Sequence, residues 1–404
     1  MAGRVLVTGS GIISAIGVGV DATLESLLAG KSGIGKVAHT ATEHAEFPVG
    51  EVHLSNAEMA RMAEVSSPAD SLRTVLMGII AAREAVKSAG LTDKEMARAA
   101  FISGTTVGGM DRTERHFKEV FDSNGEAGKL LALKDNDCGD STELIAAHTG
   151  PFAMVTTTST ACSSAANAII TGANMIKAGI ADIVVAGGSE ALTRFHLNGF
   201  NSLMILDRGQ CRPFDRDRNG INLGEGAAYI VLESEKSATE RGAGILGQLS
   251  GYGNACDAFH QTASSADGEG AYLAMRKALE MAGLQPAEIS YVNAHGTGTP
   301  NNDETELTAM SRIWGEALPP LSSTKAFTGH TTSASGSIEA VISLLALRRG
   351  FIPANLGWQN PIKEGAAPVT DTKTGTDLTH IVDNSFGFGG NDSSLIFSKY
   401  QKHG

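Results

Sequence analysis

Short, continuous apolar runs ending in glycine alternate along this chain with longer stretches of alanine, serine and other small residues. Residues 5–8, 100–103, 183–186, 229–232, 289–293 and 395–398 carry no polar alternation, as strands covered on both faces of a sheet require. Residues 72–89, 163–178, 271–282 and 335–348 read as helices. Each is followed by a glycine (Gly90, Gly179, Gly283, Gly350), the residue that closes a helix in a left-handed conformation at least steric cost. This order predicts an α/β fold. The nearest thing to a seam is 240–247, where a polar helix end meets Gly242, Gly244 and Gly247. Each side of it offers a strand, a helix ending in Ala-Gly-Leu or Ala-Gly-Ile, and a further helix rich in Ala and Ser. We therefore expect a duplicated core, with halves 1–243 and 244–404.

Composition narrows the function classes. The 404 residues are 42% hydrophobic and 19% charged, enough for a large core and too apolar for disorder. Thirty-two basic against 44 acidic residues leave a net charge of −12, the wrong sign for a general nucleic-acid binder. No uncharged apolar run reaches the roughly 18 residues of a membrane helix. Residues 5–20 are uncharged, but glycines at 9, 11, 17 and 19 break them, so they read as strand, turn and helix start rather than a leader. Cys138, Cys162, Cys211 and Cys256 have no C-x-x-C spacing, which leaves no zinc or disulfide framework and fits a reduced, cytoplasmic setting.

Three familiar motifs fail on inspection. The strand and turn at 5–14 has Ser14 where a dinucleotide fingerprint needs its third glycine. Gly30-Lys31-Ser32 has Glu25 in the first glycine position of a phosphate loop. Asp215-x-Asp217-x-Asn219-Gly220 opens like a calcium loop, but Glu225 comes one position early; its charges read as a structural turn.

The chemistry concentrates elsewhere. Thr-Thr-Thr-Ser-Thr-Ala-Cys-Ser-Ser-Ala-Ala (156–166) delivers Cys162 to the start of a helix. Unpaired N–H groups there favour a thiolate, lowering the thiol from its free value of about 8.5, and can hold an oxyanion. The competing reading is a buried, inert cysteine. His295 in Asn-Ala-His-Gly-Thr-Gly-Thr-Pro and His330 in Ser-Thr-Lys-Ala-Phe-Thr-Gly-His each follow a strand and precede a helix, at the rim where α/β sites lie. Asn-Ser-Phe-Gly-Phe-Gly-Gly (384–390) offers a glycine-flexed loop, or simply a tight turn.

With Cys162, His295, Lys325, His330 and Phe388 in these motifs, and Arg-Pro-Phe-Asp…Gly-Glu-Gly-Ala at 212–227, the chain resembles the β-ketoacyl-[acyl-carrier-protein] synthases, type II condensing enzymes above all. The resemblance spans residues 4–399. It implies a thiolase-like fold, five layers (α-β-α-β-α) from two duplicated halves, and a dimer with itself or with a chain-length factor. It implies Cys162 as nucleophile, His295 and His330 as neutral donors to an enolate, and Lys325 holding His330, with Glu339 as its anchor. Phe388, Thr297, Thr299, Thr262 and Val107 would bind substrate carried on the phosphopantetheine of an acyl carrier protein, with no metal or other cofactor. The chain departs from the family at Thr331–Gly336, more polar than usual, and at Gly389-Gly390-Asn391-Asp392, where Thr-Asn is customary. The 63–70 stretch, often basic for docking the acidic carrier, holds Glu64 and Asp70 and no Lys or Arg. Arg112, Arg115, Lys118, Lys129 and Arg208 are the alternative docking candidates. These changes admit a specialised synthase of the aryl-polyene or pigment type. A non-catalytic chain-length factor would lack Cys162, and a degradative thiolase would carry a second active cysteine near the C-terminus.

Overall fold

The computed structural model describes residues 3–66, 72–124, 126–130 and 133–401. Its frame is an eleven-stranded mixed sheet. In chain order the principal elements are β1 (Val5–Ser14), α1 (Arg73–Ala89), β2 (Ala100–Gly104), β3 (Met154–Thr158), α2 (Ser164–Lys177), β4 (Ile183–Glu190), α3 (Arg194–Ser202) and β5 (Gly226–Ser234). There follow β6 (Gly247–Cys256), α4 (Glu269–Ala282), β7 (Tyr291–Asn293), α5 (Pro300–Trp314), β8 (Leu321–Ser322), α6 (Ser335–Arg349), β9 (His380–Gly387) and β10 (Asn391–Ser398). Strands lie in the order β3-β2-β4-β5-β1-β6-β10-β9-β7-β8, with the short strand Gly17–Val18 paired to β1.

Neighbouring residues on a strand point to opposite faces, and this sheet uses both. Ile102, Val184, Ile381 and Leu395 face inward onto Ile169 and Ile170 of α2 and Ile338, Val341 and Ile342 of α6. Their neighbours face outward: Phe101 and Val185 meet α1, whereas Val382 and Ile396 meet α4. The sheet folds around α2 and α6, so the layers run α1, sheet, α2 with α6, sheet, α4. Helix α6 is buried from Ser335 to Leu347, which explains its small and polar residues.

Strands β1 and β6 use the same packing device. A Cβ on Gly9 or Gly11 of β1 would lie 2.4 or 2.1 Å from the carbonyl oxygens of Ala85 and Ala81 on α1. A Cβ on Gly251 or Gly253 of β6 would lie 2.2 Å from those of Ala278 and Ala274 on α4. These contacts correct the reading of residues 5–20: the strand runs on to Ser14, because its glycines admit a helix backbone instead of making a turn. The helix-closing glycines Gly90, Gly179, Gly283 and Gly350 do take left-handed angles, with φ of 65°, 68°, 67° and 64°. Asp215 accepts the N–H groups of Asp217 and Asn360 at 2.8 Å and that of Gln359 at 2.5 Å, so the calcium-like stretch is a turn-holding device. Among the described residues no helix is long and apolar enough to cross a membrane.

Candidate active site

Cys162 sits between the edge strand β3 and helix α2, on a tight turn. Ala161 takes a left-handed conformation, φ 52°, a strained choice for a residue with a Cβ. The turn is tied down locally: Ser164 Oγ accepts from Thr160 N at 2.9 Å and donates to Ala161 O at 2.6 Å. Gly387 at the end of β9 passes so close that a Cβ there would lie 3.0 Å from Thr160 O and 3.2 Å from Cys162 N. This approach brings the Phe388–Gly390 turn over the sulfur, and the backbone N–H groups of Phe388 and Cys162 both face the thiol and favour its ionised form. Asn391 locks the arrangement by accepting from Ser163 Oγ and Asn167 Nδ2, each at 2.8 Å, and Asn254 Nδ2 at 2.9 Å.

The expected lowering of the Cys162 thiol is not what the site produces. Burial pushes the thiol up to about 11, outweighing the two N–H groups and the charge of Lys325. A helix start lowers a thiol only where the ionised sulfur keeps some solvation, and this one is 6% exposed. At neutral pH the resting group is therefore the thiol, and its neighbour matters: His330 Nε2 lies 3.0 Å from Sγ.

His330 and His295 meet edge to face, ring centroids 5.4 Å apart. Burial first, and the charge of Lys325 second, hold both far below the usual histidine range, so both are neutral. His330 Nδ1 is paired not with Lys325, as the resemblance implies, but with Ser335 Oγ at 2.9 Å, and Thr331 Oγ1 stands 3.2 Å behind that hydroxyl. The turn carrying His295 is fixed by Glu306 of α5, which accepts the N–H of His295 at 2.9 Å and that of Gly296 at 2.8 Å. Lys325 Nζ instead donates to Glu339 Oε1 at 2.5 Å, both side chains almost wholly buried. Burial pushes the Glu339 carboxyl up and Lys325 pulls it back; Asp383 beside the pair is pushed well up by burial and by Glu339. Removing one partner of such a pair strands a buried charge, at a cost of about 3–5 kcal/mol.

A cavity of about 390 Å³ opens above these groups. Cys162, His295, His330, Thr262, Thr297, Thr299 and Phe388 all line it, whereas Val107 does not. Val107 is buried on the loop after β2, which Glu190 draws away by accepting from Thr105 Oγ1 at 2.6 Å and Thr106 N at 3.0 Å. The Phe388 ring stacks on Phe200 of α3, centroids 5.6 Å apart. Ser335, Glu306 and Phe200 had no motif to announce them, although a hydroxyl five residues after His330, at a helix start, was the available signal for Ser335. None of the basic docking candidates lines the cavity. Arg112 is buried against Asp135, Arg115 lies 3.7 Å from Asp111, Lys129 pairs with Glu119, and Arg208 lies over the Phe47 ring. Of the 63–70 stretch, Glu64 lies 3.7 Å from Arg83; Asp70 and residues 67–69 lie outside the described residues.

Residues 2–238 match the family described as beta-ketoacyl synthase, N-terminal domain, and residues 246–359 match its C-terminal domain. A 3-oxoacyl-[acyl-carrier-protein] synthase 2 of Staphylococcus aureus is 34% identical over 418 residues, covering 98% of this chain and 99% of that protein. Among solved structures, the ishigamide ketosynthase/chain length factor superposes with a TM-score of 0.93 at 32% identity, covering 99% of this chain and 100% of the other. A type II PKS acyl-carrier protein in complex with its ketosynthase bound to the hexaketide matches with a TM-score of 0.87 at 25% identity, over 99% and 100% of the chains.

Proposed function

The chain belongs to the β-ketoacyl synthase family, and from that premise we infer that it condenses an acyl thioester with malonyl-[acyl-carrier-protein], releasing CO2 and 3-oxoacyl-[acyl-carrier-protein]. One observation carries the assignment of roles. A thiol, a neutral imidazole 3.0 Å from it and two backbone N–H groups share the floor of one cavity with a second neutral imidazole. In the first half-reaction Cys162 Sγ attacks the acyl carbonyl and the pantetheine sulfur departs with the thiol proton. The N–H groups of Cys162 and Phe388 hold the tetrahedral oxyanion. In the second, malonyl thioester loses CO2, and His295 and His330 hold the enolate oxygen by hydrogen bonds without protonating carbon. The enolate carbon attacks the acyl-cysteine, and the released sulfur regains a proton from solvent. Burial keeps both rings neutral, and the charge of Lys325, secured by Glu339, adds to it. Thr297 and Thr299, whose hydroxyls are 2.8 Å apart, hold the pantetheine arm with Thr262 on the cavity wall.

Ser335 serves both halves. Its hydroxyl can accept from His330 Nδ1–H, leaving Nε2 to receive the thiol proton, or donate to Nδ1, leaving Nε2–H for the enolate. Ser335→Ala is expected to slow malonyl decarboxylation about five- to tenfold, the value of one neutral hydrogen bond near 1 kcal/mol, with Ser335→Thr restoring most of it. Absence of rescue by threonine would reduce the residue to a filler of space.

The overall reaction is tested by mass spectrometry of the protein mixed with acyl-carrier-protein thioesters of graded chain length. The expected result is an acyl adduct on the Cys162 peptide that malonyl-carrier protein discharges with release of CO2. No adduct and no CO2 across the panel would refute the assignment. A TM-score of 0.93 to a ketosynthase/chain length factor structure favours a second reading within the same chemistry. On it the chain is a specialised synthase, of the aryl-polyene or pigment type, paired with a chain-length factor rather than with itself. The four unpaired cysteines support a cytoplasmic setting for either reading.

A further inference from the structure

Cys162 lies in the cavity, and four stretches of chain that line it are 200–205, 262–264, 299–302 and 386–390. In a protein of net charge −12 none of them contains Asp, Glu, Lys or Arg. Most of the acids that flank them turn away: Asp207, Asp303 and Asp392 are buried, and Asp257 accepts from Ser265, while the exposed Glu304 pairs with Arg218 at 3.1 Å. Besides uncharged polar residues such as Ser202, Thr262 and Asn301, the rim exposes large apolar side chains. Met204 is 88% exposed and Leu203 39%, while Phe259, on the loop that leads to Thr262, is 63% exposed. Met204 is also held in a left-handed conformation, φ 56°, an uncommon one for a residue with an unbranched Cβ. A single exposed apolar side chain needs no explanation, but Leu203 and Met204 side by side on the cavity lining, with Phe259 three residues before the lining Thr262, call for one.

We propose that this rim is the landing surface for the acyl carrier protein, and that it selects a carrier presenting apolar side chains around its pantetheine attachment, by contact rather than by charge. The proposal rests on the condensing reaction above and names its partner. The substrate is tethered, and the sulfur it must reach is buried at the cavity floor, so the carrier body has to rest on whatever surrounds the mouth. A purely electrostatic docking site would need several cations within about a Debye length, roughly 8 Å at physiological salt; the lining stretches supply none, and the exposed Arg208, three residues beyond Ile205, is a single charge held over the Phe47 ring. The basic candidates elsewhere are mostly matched with acids.

Steady-state kinetics with two acyl donors test this: acyl carrier protein charged with the acyl group, and the corresponding N-acetylcysteamine thioester. For the native protein the KM for the carrier-bound donor should change less than about twofold between about 50 and 300 mM salt, whereas a charge-steered encounter weakens steeply. Met204→Asp and Phe259→Asp should each raise the ratio of carrier KM to free-thioester KM at least about tenfold, one desolvated charge being worth more than 1.4 kcal/mol. Met204→Leu should leave the ratio in place. A steep salt dependence, an unchanged ratio in both aspartate variants, or a change of oligomeric state with no change of ratio would overturn the landing surface. Failure of the native protein to condense either donor would overturn the reaction first. Turnover of the free thioester with an unchanged ratio would overturn the rim alone.

Discussion

Cys162→Ala should yield a folded protein that forms no acyl adduct and no condensation product with any carrier-bound donor. The substitution removes one buried sulfur, and the turn around it is held by Ser164, Asn391 and Gly387 rather than by the thiol. Condensation should fall to background, because no other cysteine can substitute. Cys211 is fully buried and its thiol is pushed up to about 12; Cys138 is half-buried and raised by burial; Cys256 is exposed and, among the described residues, its sulfur contacts Gly389 O rather than a histidine. Changing any of these three to Ala should leave the adduct on Cys162. An acyl group mapped to another cysteine by peptide mass spectrometry would sink the assignment.

The two histidines should separate by half-reaction. His295 has no contact with the sulfur as close as the 3.0 Å of His330, so His295→Ala should cost decarboxylation of malonyl thioester about 100- to 1,000-fold while Cys162 acylation falls by no more than about tenfold. His330→Ala should impair both, decarboxylation more. The sign of the pH dependence follows from the depressed imidazoles. Each contributes in its neutral form, which is present above its folded value and lost as pH falls through it, so decarboxylation should stay level from about pH 6 to about pH 8 and decline only on the acid side. Stopped-flow measurement of CO2 release checks both points. Equal loss of the two half-reactions in His295→Ala would mean that this ring activates the cysteine instead.

How much of this was readable in advance depended on whether the cause was local. The helices ended where their glycines said, and Cys162, His295 and His330, which the structure brings into one cavity, stand out by their strand–turn–helix context. Strand β6 was invisible because Gly247–Cys256 mixes glycine, serine and polar residues, and its glycines serve a helix lying across it, not a turn. The Phe388 loop was taken whole, whereas Asn384–Gly387 completes strand β9 and only three residues turn. Glu306 lies eleven residues beyond His295 and faces inward from a helix, a relation that no short motif encodes. The thiol was misjudged in direction, since helix position can be read from sequence but depth of burial comes only from the assembled layers.

The glycine pairs of β1 and β6 also constrain which substitutions the fold can accept. At Gly9, Gly11, Gly251 and Gly253 substitution is forbidden, because any side chain would strike a main-chain oxygen that no rotamer can move. Two helices therefore seat on one sheet through four absent methyl groups, and the fit is one that no side-chain adjustment elsewhere could replace.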